Sequence, residues 1–183
     1  MSTRERILDA ALDLFVEEGF GGATITEVER RVGLTAGTGS FYRHFPSKEA
    51  LLTAAVEREV ARCRAGIIEA RAEPLVSEDP HEQRVLGLQL ALRDVRRFDR
   101  LMRLALAEGE RVPGLRDTIT AALQSSSPAL PWEEKPTTVI TLAALSGYHF
   151  SSLMQGRPFQ GMPEAEFLEA LASLLEGVEP SGP

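Results

Sequence analysis

Thr24-Ile25-Thr26-Glu27-Val28-Glu29-Arg30-Arg31-Val32-Gly33-Leu34-Thr35-Ala36-Gly37-Thr38-Gly39-Ser40-Phe41-Tyr42-Arg43-His44-Phe45-Pro46-Ser47-Lys48 is the stretch that decides the fold. Thr24 and Glu27 stand at capping-box spacing and open a short helix over 25–32, which Gly33 ends. Thr35 is a candidate cap for a second short helix over 36–45. Pro46-Ser47 closes that helix and opens a longer one, with Ser47 as its cap. Short helix, glycine-containing turn, short helix is the helix-turn-helix arrangement. The second segment crowds Thr38, Ser40, Tyr42, Arg43 and His44 onto one small element, and Lys48 follows. Hydroxyls, a phenol and cations are the groups that hold phosphates and reach base edges. Within 24–48, Arg30, Arg31, Arg43 and Lys48 outweigh Glu27 and Glu29, a local charge of 4 − 2 = +2.

Outward from this stretch the period stays helical. Upstream, Ile7, Leu8, Ala11, Leu12, Phe15 and Val16 form a 3.6-residue stripe, opened by the capping pair Ser2 and Glu5 and stopped by Gly19. Downstream, a long helix runs from Lys48 to about Ala72. Asp79-Pro80-His81-Glu82 opens a further pattern reaching about Leu106 as two helices. Others are expected from Pro113 to about Ser125, over 137–155 and over 163–176. No useful alternating run and no internal repeat occurs. The expected fold is all-α with about nine helices. A helix-turn-helix domain over 1–46 is joined, through the helix starting at 47, to a helical effector-binding and dimerisation domain over 47–183. The loop 127–136, which contains Trp132 between prolines, is the main linker.

Composition narrows the function. The chain has 183 residues and a net charge of −7. From Ala65 onward, 11 basic residues face 17 acidic ones, a local −6. An acidic total argues against non-specific coating of nucleic acid but leaves room for a local DNA-reading surface. No run approaches the roughly 20 apolar residues of a membrane helix, and no apolar leader precedes the first acidic residues. The expected setting is soluble and cytoplasmic, with no membrane partner. A lone Cys63 rules out an internal disulfide or a multi-cysteine metal site. No metal site, cofactor or catalytic constellation is expected. The histidines are 44, 81 and 149, with no ligand spacing among them, and neither a phosphate loop nor a nucleophile elbow is present.

Several blocks together resemble the TetR family of transcriptional regulators: 7–15 (Ile-Leu-Asp-Ala-Ala-Leu-Asp-Leu-Phe), Gly19-Phe20, Ala23-Thr24, Gly33-Leu34, and 41–52, which begins Phe41-Tyr42-Arg43-His44-Phe45-Pro46-Ser47-Lys48. The resemblance is strong over about 4–56. It implies a homodimer whose N-terminal domain binds double-stranded operator DNA, usually to repress. The C-terminal domain would dimerise through its last two helices and hold a small effector. Two departures stand out. Gly33 to Tyr42 is two residues longer than the commonest family spacing, and the extra residues include Gly37 and Gly39. Each glycine costs about 1 kcal/mol relative to alanine in a helix, so a looser or later-starting recognition helix is expected. Glu29 stands where the family usually has a small alanine, so it is expected either to tilt outward or to open the helix pair.

The expected DNA contacts follow. Tyr42, His44, Lys48 and the Thr24 cap would hold phosphates. Thr35, Thr38, Ser40 and Arg43 are the candidates for base edges, although an exposed Arg43 also suits a phosphate. Arg30 and Arg31 fit a solvated face. The helix 137–155 is apolar on nearly every side, which calls for burial on several sides. With 167–175 it would build a four-helix dimer interface using Leu142, Leu145, Leu153, Phe167, Leu171 and Leu174. An apolar effector site would use Phe98, Met102, Leu106, Tyr148 and His149, for a hydrophobic or aromatic ligand. His81 reads as a plain surface residue, and His149 reads more readily as a satisfied interior or interface histidine than as a ligand contact. Two other functions stay open: a helical small-molecule carrier or enzyme that has lost DNA binding, and a DNA-binding protein with a filled core and no effector.

Overall fold

Capping chemistry sets where the helices begin. Ser2 Oγ accepts from Glu5 N at 3.3 Å while Glu5 Oε2 accepts from Ser2 N at 2.6 Å, the complete capping box. Thr24 and Asp79 cap the second and fourth helices through Glu27 N and His81 N. Ser47 Oγ accepts from Ala50 N at 3.1 Å at the start of the third. The computed structural model describes residues 2–35, 41–72, 76–125 and 136–177. Among these there are eight α-helices and no strand: α1 (Thr3–Gly22), α2 (Ile25–Arg31), α3 (Lys48–Ala70), α4 (Pro80–Arg96), α5 (Asp99–Glu108), α6 (Leu115–Ser125), α7 (Pro136–Gln155) and α8 (Glu164–Glu176). Trp132 lies outside the described residues.

The expected count of about nine helices becomes eight because the segment expected as an α-helix over 36–45 is not one in its described part. Phe41–Arg43 forms a single 3-10 turn, and 36–40 lie outside the described residues. Phe41 O accepts from both His44 N at 2.8 Å and Phe45 N at 3.1 Å, and Phe41 and Phe45, four positions apart, are both buried in the core.

The chain divides into two compact units, Met1–Ala65 with Phe98–Ser127, and Gly66–Arg97 with Pro128–Pro183. In the first, α1 contributes Ile7, Leu8, Leu12 and Phe15 to a core shared with Val28, Phe41, Leu51, Val56, Leu101 and Leu104. Its polar rim is ionic. Arg58 pairs with Asp9 at 2.5 Å, and Arg100 reaches Asp13 at 2.6 Å and the buried Glu59 at 3.4 Å. Arg62 closes on Glu59 at 2.6 Å. At the expected stop of α1, Gly19 takes φ +74° and ψ 165°, and the helical path is broken there. The buried carboxylate of Glu108, at the end of α5, sits against this glycine.

In the second unit α4 packs with α7 and α8 around Val85, Leu88, Leu92, Leu145, Leu168 and Leu171. The Tyr148 ring stacks on Phe167 at 4.1 Å, and its hydroxyl donates to Met162 O at 2.9 Å. α7 is not covered on all sides within the chain. Leu145, Tyr148 and His149 are buried, whereas Ile140 is 64% and Met154 75% exposed.

His81 is more than a plain surface residue. Its Nδ1 lies 2.6 Å from Glu176 Oε1 and its Nε2 lies 2.8 Å from Glu169 Oε2, and Arg84 joins Glu176 at 3.1 Å. Both ring nitrogens can donate only in the imidazolium, so the hydrogen bonds to Glu169 and then Glu176 raise the His81 pKa above its usual value. A raised folded-state pKa adds stability that is complete below the ordinary imidazole value of about 6.5 and is lost as pH rises through the shifted value. The melting temperature of this unit is therefore expected to fall as pH rises above the ordinary imidazole value of about 6.5. His81→Gln should remove that slope, as thermal melts at several pH values would show. An equal slope in the variant would place its origin elsewhere.

Candidate nucleic-acid interface

The site is a turn fixed from beneath. α2 ends in a Schellman arrangement: Gly33 N donates to Arg30 O at 3.1 Å and Leu34 N to Glu29 O at 2.9 Å, with Gly33 at φ +72°. Only glycine adopts that left-handed conformation without strain, so this glycine sets the direction in which the chain leaves α2. The chain returns at Phe41. Its ring meets that of Phe45 at 5.7 Å, and both are buried. With both rings locked inward, the residues between them face out. Tyr42 is 62% exposed, and Arg43 and His44 are exposed beside it. The Tyr42 ring stands edge-on to Phe41 at 5.2 Å, which fixes the phenol without covering it.

Lys48 stands at the first position of α3. Its ammonium lies 4.6 Å from the Phe20 ring centre, a cation–π contact that holds the side chain while leaving its donors available. Arg4 lies similarly over Phe45 at 5.1 Å. The Thr24 hydroxyl is engaged by Glu27 N, and both Thr24 and Thr35 are exposed. Thr38 and Ser40 lie outside the described residues. Tyr42, Arg43 and His44 are therefore consecutive on one exposed turn, with Lys48 following at the head of α3 and Thr24 at the head of α2.

Arg30 and Arg31 are paired in the solvated face expected of them. Arg30 grips Glu27 through Nε at 2.8 Å and Nη2 at 2.6 Å, and Arg31 reaches Glu17 at 2.7 Å. The Arg30 hydrogen bonds hold the Glu27 carboxyl down to about 2. Two of the four cations within 24–48 are thus balanced locally, which concentrates the available positive charge on Arg43 and Lys48.

Glu29 does not take the first of the two alternatives expected of it. It does not tilt outward, being only 3% exposed, and its carboxylate Oε1 accepts from Phe41 N at 3.4 Å. The sequence carried one signal for this. Glu29 shares the apolar side of α2 with Ile25 and Val32 at helical spacing, a position where a carboxylate needs a donor.

The residues expected around an effector fall in both units. Phe98 and Met102 are half-buried and Leu106 is exposed in the first, and Tyr148 and His149 are buried in the second. The Tyr148 hydroxyl is already used on Met162 O. Of the residues expected at a dimer interface, Leu145 and Leu171 are buried in the chain's own core, and Leu153 and Phe167 are half-buried. Leu142 and Leu174 are exposed, with Val139, Ile140 and Met154 as exposed apolar neighbours.

Comparison with known proteins agrees with this geometry. Residues 7–55 match the profile described as bacterial regulatory proteins, tetR family. The chain is 30% identical over 129 residues to the HTH-type transcriptional repressor AcnR of Corynebacterium diphtheriae, covering 68% of this chain and 65% of that protein. It is 34% identical over 105 residues to the HTH-type transcriptional regulator UidR of Escherichia coli, covering 51% of this chain and 53% of that protein. The chain thus matches between about half and two thirds of the length of these relatives. Among solved structures, reduced NemR of E. coli superposes with a TM-score of 0.65 at 18% identity, covering 100% of both chains. The multidrug-binding protein EbrR in complex with ethidium superposes at 0.62 with 22% identity, covering 95% of this chain and 98% of that one. At those identities the likeness is one of fold.

Proposed function

We propose, from the chain's membership of the TetR family of bacterial regulatory proteins, that it is a homodimeric transcriptional regulator, acting as a repressor on a near-palindromic operator and released by a small hydrophobic or aromatic effector. The head over 1–46, together with Lys48 at the start of the connecting helix, carries the DNA contacts, and the rest of 47–183 the effector and dimer functions. The observation that carries the reading is the turn Phe41–Arg43, whose Phe41 is locked in the core while Tyr42, Arg43 and the following His44 project outward beside Lys48. Two such turns, one from each protomer, would enter successive major grooves about 34–36 Å apart. Tyr42, His44 and Lys48 would hold the backbone, and Arg43 would read a base edge. Selection of bound duplexes from a random pool tests this, because it reports half-site sequence and spacing together. A pool that shows no enrichment would instead favour a carrier whose helix-turn-helix no longer binds DNA.

Arg43 and Lys48 have separable effects. Lys48→Ala is expected to weaken binding to all duplexes alike and to lower the salt slope by about one unit for each phosphate it no longer neutralises, or about two per dimer. Arg43→Ala is expected to relax preference at one base pair per half-site, costing about 1–3 kcal/mol there if its partner is a guanine. Anisotropy titrations on the selected operator and its single-base variants, at several salt concentrations, distinguish the two patterns. Uniform weakening by Arg43→Ala would reassign that residue to the backbone.

The effector reading draws on two supports. The chain from Ala65 onward is acidic, which favours a neutral or cationic ligand over an anion. EbrR, similar in fold, is a multidrug-binding protein crystallised with ethidium, an aromatic cation. A thermal-shift screen across aromatic and hydrophobic cations tests this part independently of DNA. Dimerisation draws on α7, where Ile140, Ala143, Gly147 and Met154 recur at helical spacing on the exposed side. The small residues in the middle of that stripe permit close helix approach.

A further inference from the structure

Glu29 holds the chain at two points. Its backbone oxygen accepts from Leu34 N at 2.9 Å, and its side-chain Oε1 accepts from Phe41 N at 3.4 Å. These are the two flanks of the segment 35–40, the link between α2 and the turn that presents Tyr42 and Arg43. A backbone N–H buried beside a ring as enclosed as Phe41 needs an acceptor, because leaving it unmet costs the full desolvation of that group. An acceptor comes from the preceding helix, twelve positions away, through a carboxylate that is itself buried at 3% exposure.

We infer that Glu29 is a positioning residue for DNA recognition, whose buried carboxylate sets the register of the Phe41–Arg43 turn and thereby which base the head discriminates. The inference rests on the DNA-binding reading for its function, but its geometry can be tested without DNA. Glu29 touches no DNA in this scheme. It acts through the Phe41 amide, and so on the direction in which Tyr42, Arg43 and His44 leave the core. Removing it should therefore affect discrimination between sequences more than binding to DNA as such, because Lys48 is carried on α3 and does not depend on this acceptor.

Two near-isosteric variants separate the acceptor from mere bulk. Glu29→Gln keeps an oxygen in reach of Phe41 N, and Glu29→Met keeps the length of the side chain without one. On the duplex selected by the wild-type protein, Glu29→Gln is expected to retain the ratio of specific to random-duplex affinity. Glu29→Met should reduce that ratio by roughly tenfold per head, the scale of one buried hydrogen bond, with random-duplex affinity unchanged at the same salt. Amide exchange of Phe41 gives the second readout. Its N–H should be protected in the wild type and in Glu29→Gln, and should exchange faster in Glu29→Met. Wild-type discrimination in Glu29→Met, or equal reduction in both variants, would overturn the role. So would an unprotected Phe41 amide in the wild type, which also decides the matter if Glu29→Met fails to fold. If the wild type selects no duplex while Phe41 behaves as expected, the DNA-binding reading has failed and the positioning geometry stands.

Discussion

Gly19→Ala is expected to destabilise the first unit by about 3 kcal/mol or more, a large fraction of the 5–15 kcal/mol that holds a typical domain folded. Gly19 sits at φ +74° and ψ 165°, a combination essentially reserved for glycine. A β-carbon there would also lie 2.6 Å from Glu108 Oε1. The two causes can be separated. The carboxylate is the far end of a flexible side chain, so the collision could be relieved if Glu108 swung away, whereas the backbone strain could not. Glu108→Ala in the Gly19→Ala background should therefore recover only the smaller part, about 1 kcal/mol, in a double-mutant cycle read by denaturant unfolding. Full recovery would mean that the collision dominates and that the backbone at residue 19 is more tolerant than its angles imply.

Ile140→Glu is expected to convert the proposed dimer to monomer and to weaken operator binding by roughly 10²–10⁴-fold. Ile140 is 64% exposed within a single chain, so a charge there should change the stability of the monomer by only about 0.5 kcal/mol. In a four-helix interface the same carboxylate would be buried against its symmetry mate and repelled by it. Each half-site would then be bound by an unlinked head, and the gain from effective concentration would disappear. Light scattering at micromolar concentration gives the mass, and anisotropy on the selected operator gives the affinity. A variant that remains dimeric with undiminished affinity would move the interface away from the stripe of Ile140, Ala143, Gly147 and Met154.

Much of this molecule is legible from short-range rules. Ser2, Thr24, Ser47 and Asp79 are caps because a side-chain oxygen at a helix start satisfies amides close by in sequence, and such patterns are local. The break at Gly19 and the exit at Gly33 are likewise local, since each needs only one residue free to take positive φ. The outward turn at 42–44 can be read from its chemistry, and its 3-10 geometry cannot, because Phe41 and Phe45 stand at a spacing that an ordinary helix would bury equally well. Glu29 and His81 escape sequence reasoning for a single cause. Their partners lie 12, 88 and 95 positions away, and periodicity says nothing about which distant donor or acceptor will arrive. The apolar character of α7 is legible too, but not which side faces its own unit, since that depends on where α4 and α8 pack.

The first unit is discontinuous in the chain, and this sets an order of events during synthesis. Leu101, Leu104, Val112, Leu115 and Ile119 complete the core begun by Ile7 to Val60, and Arg100 donates to Asp9 O from 91 positions away. A nascent chain that has reached residue 65 holds the Phe41–Arg43 turn but lacks the last five members of its core. At roughly 5–20 residues per second, residues 66–119 take roughly 3 to 11 seconds to follow. Through that interval the apolar faces of α1 and α3 that α5 will cover stay open to chaperones and proteases. The N-terminal head therefore cannot complete its core until residue 119 has been made, although its own helices are the first to be synthesised, and a fragment cut at residue 65 for use as a minimal DNA-binding module would carry that unfinished core permanently.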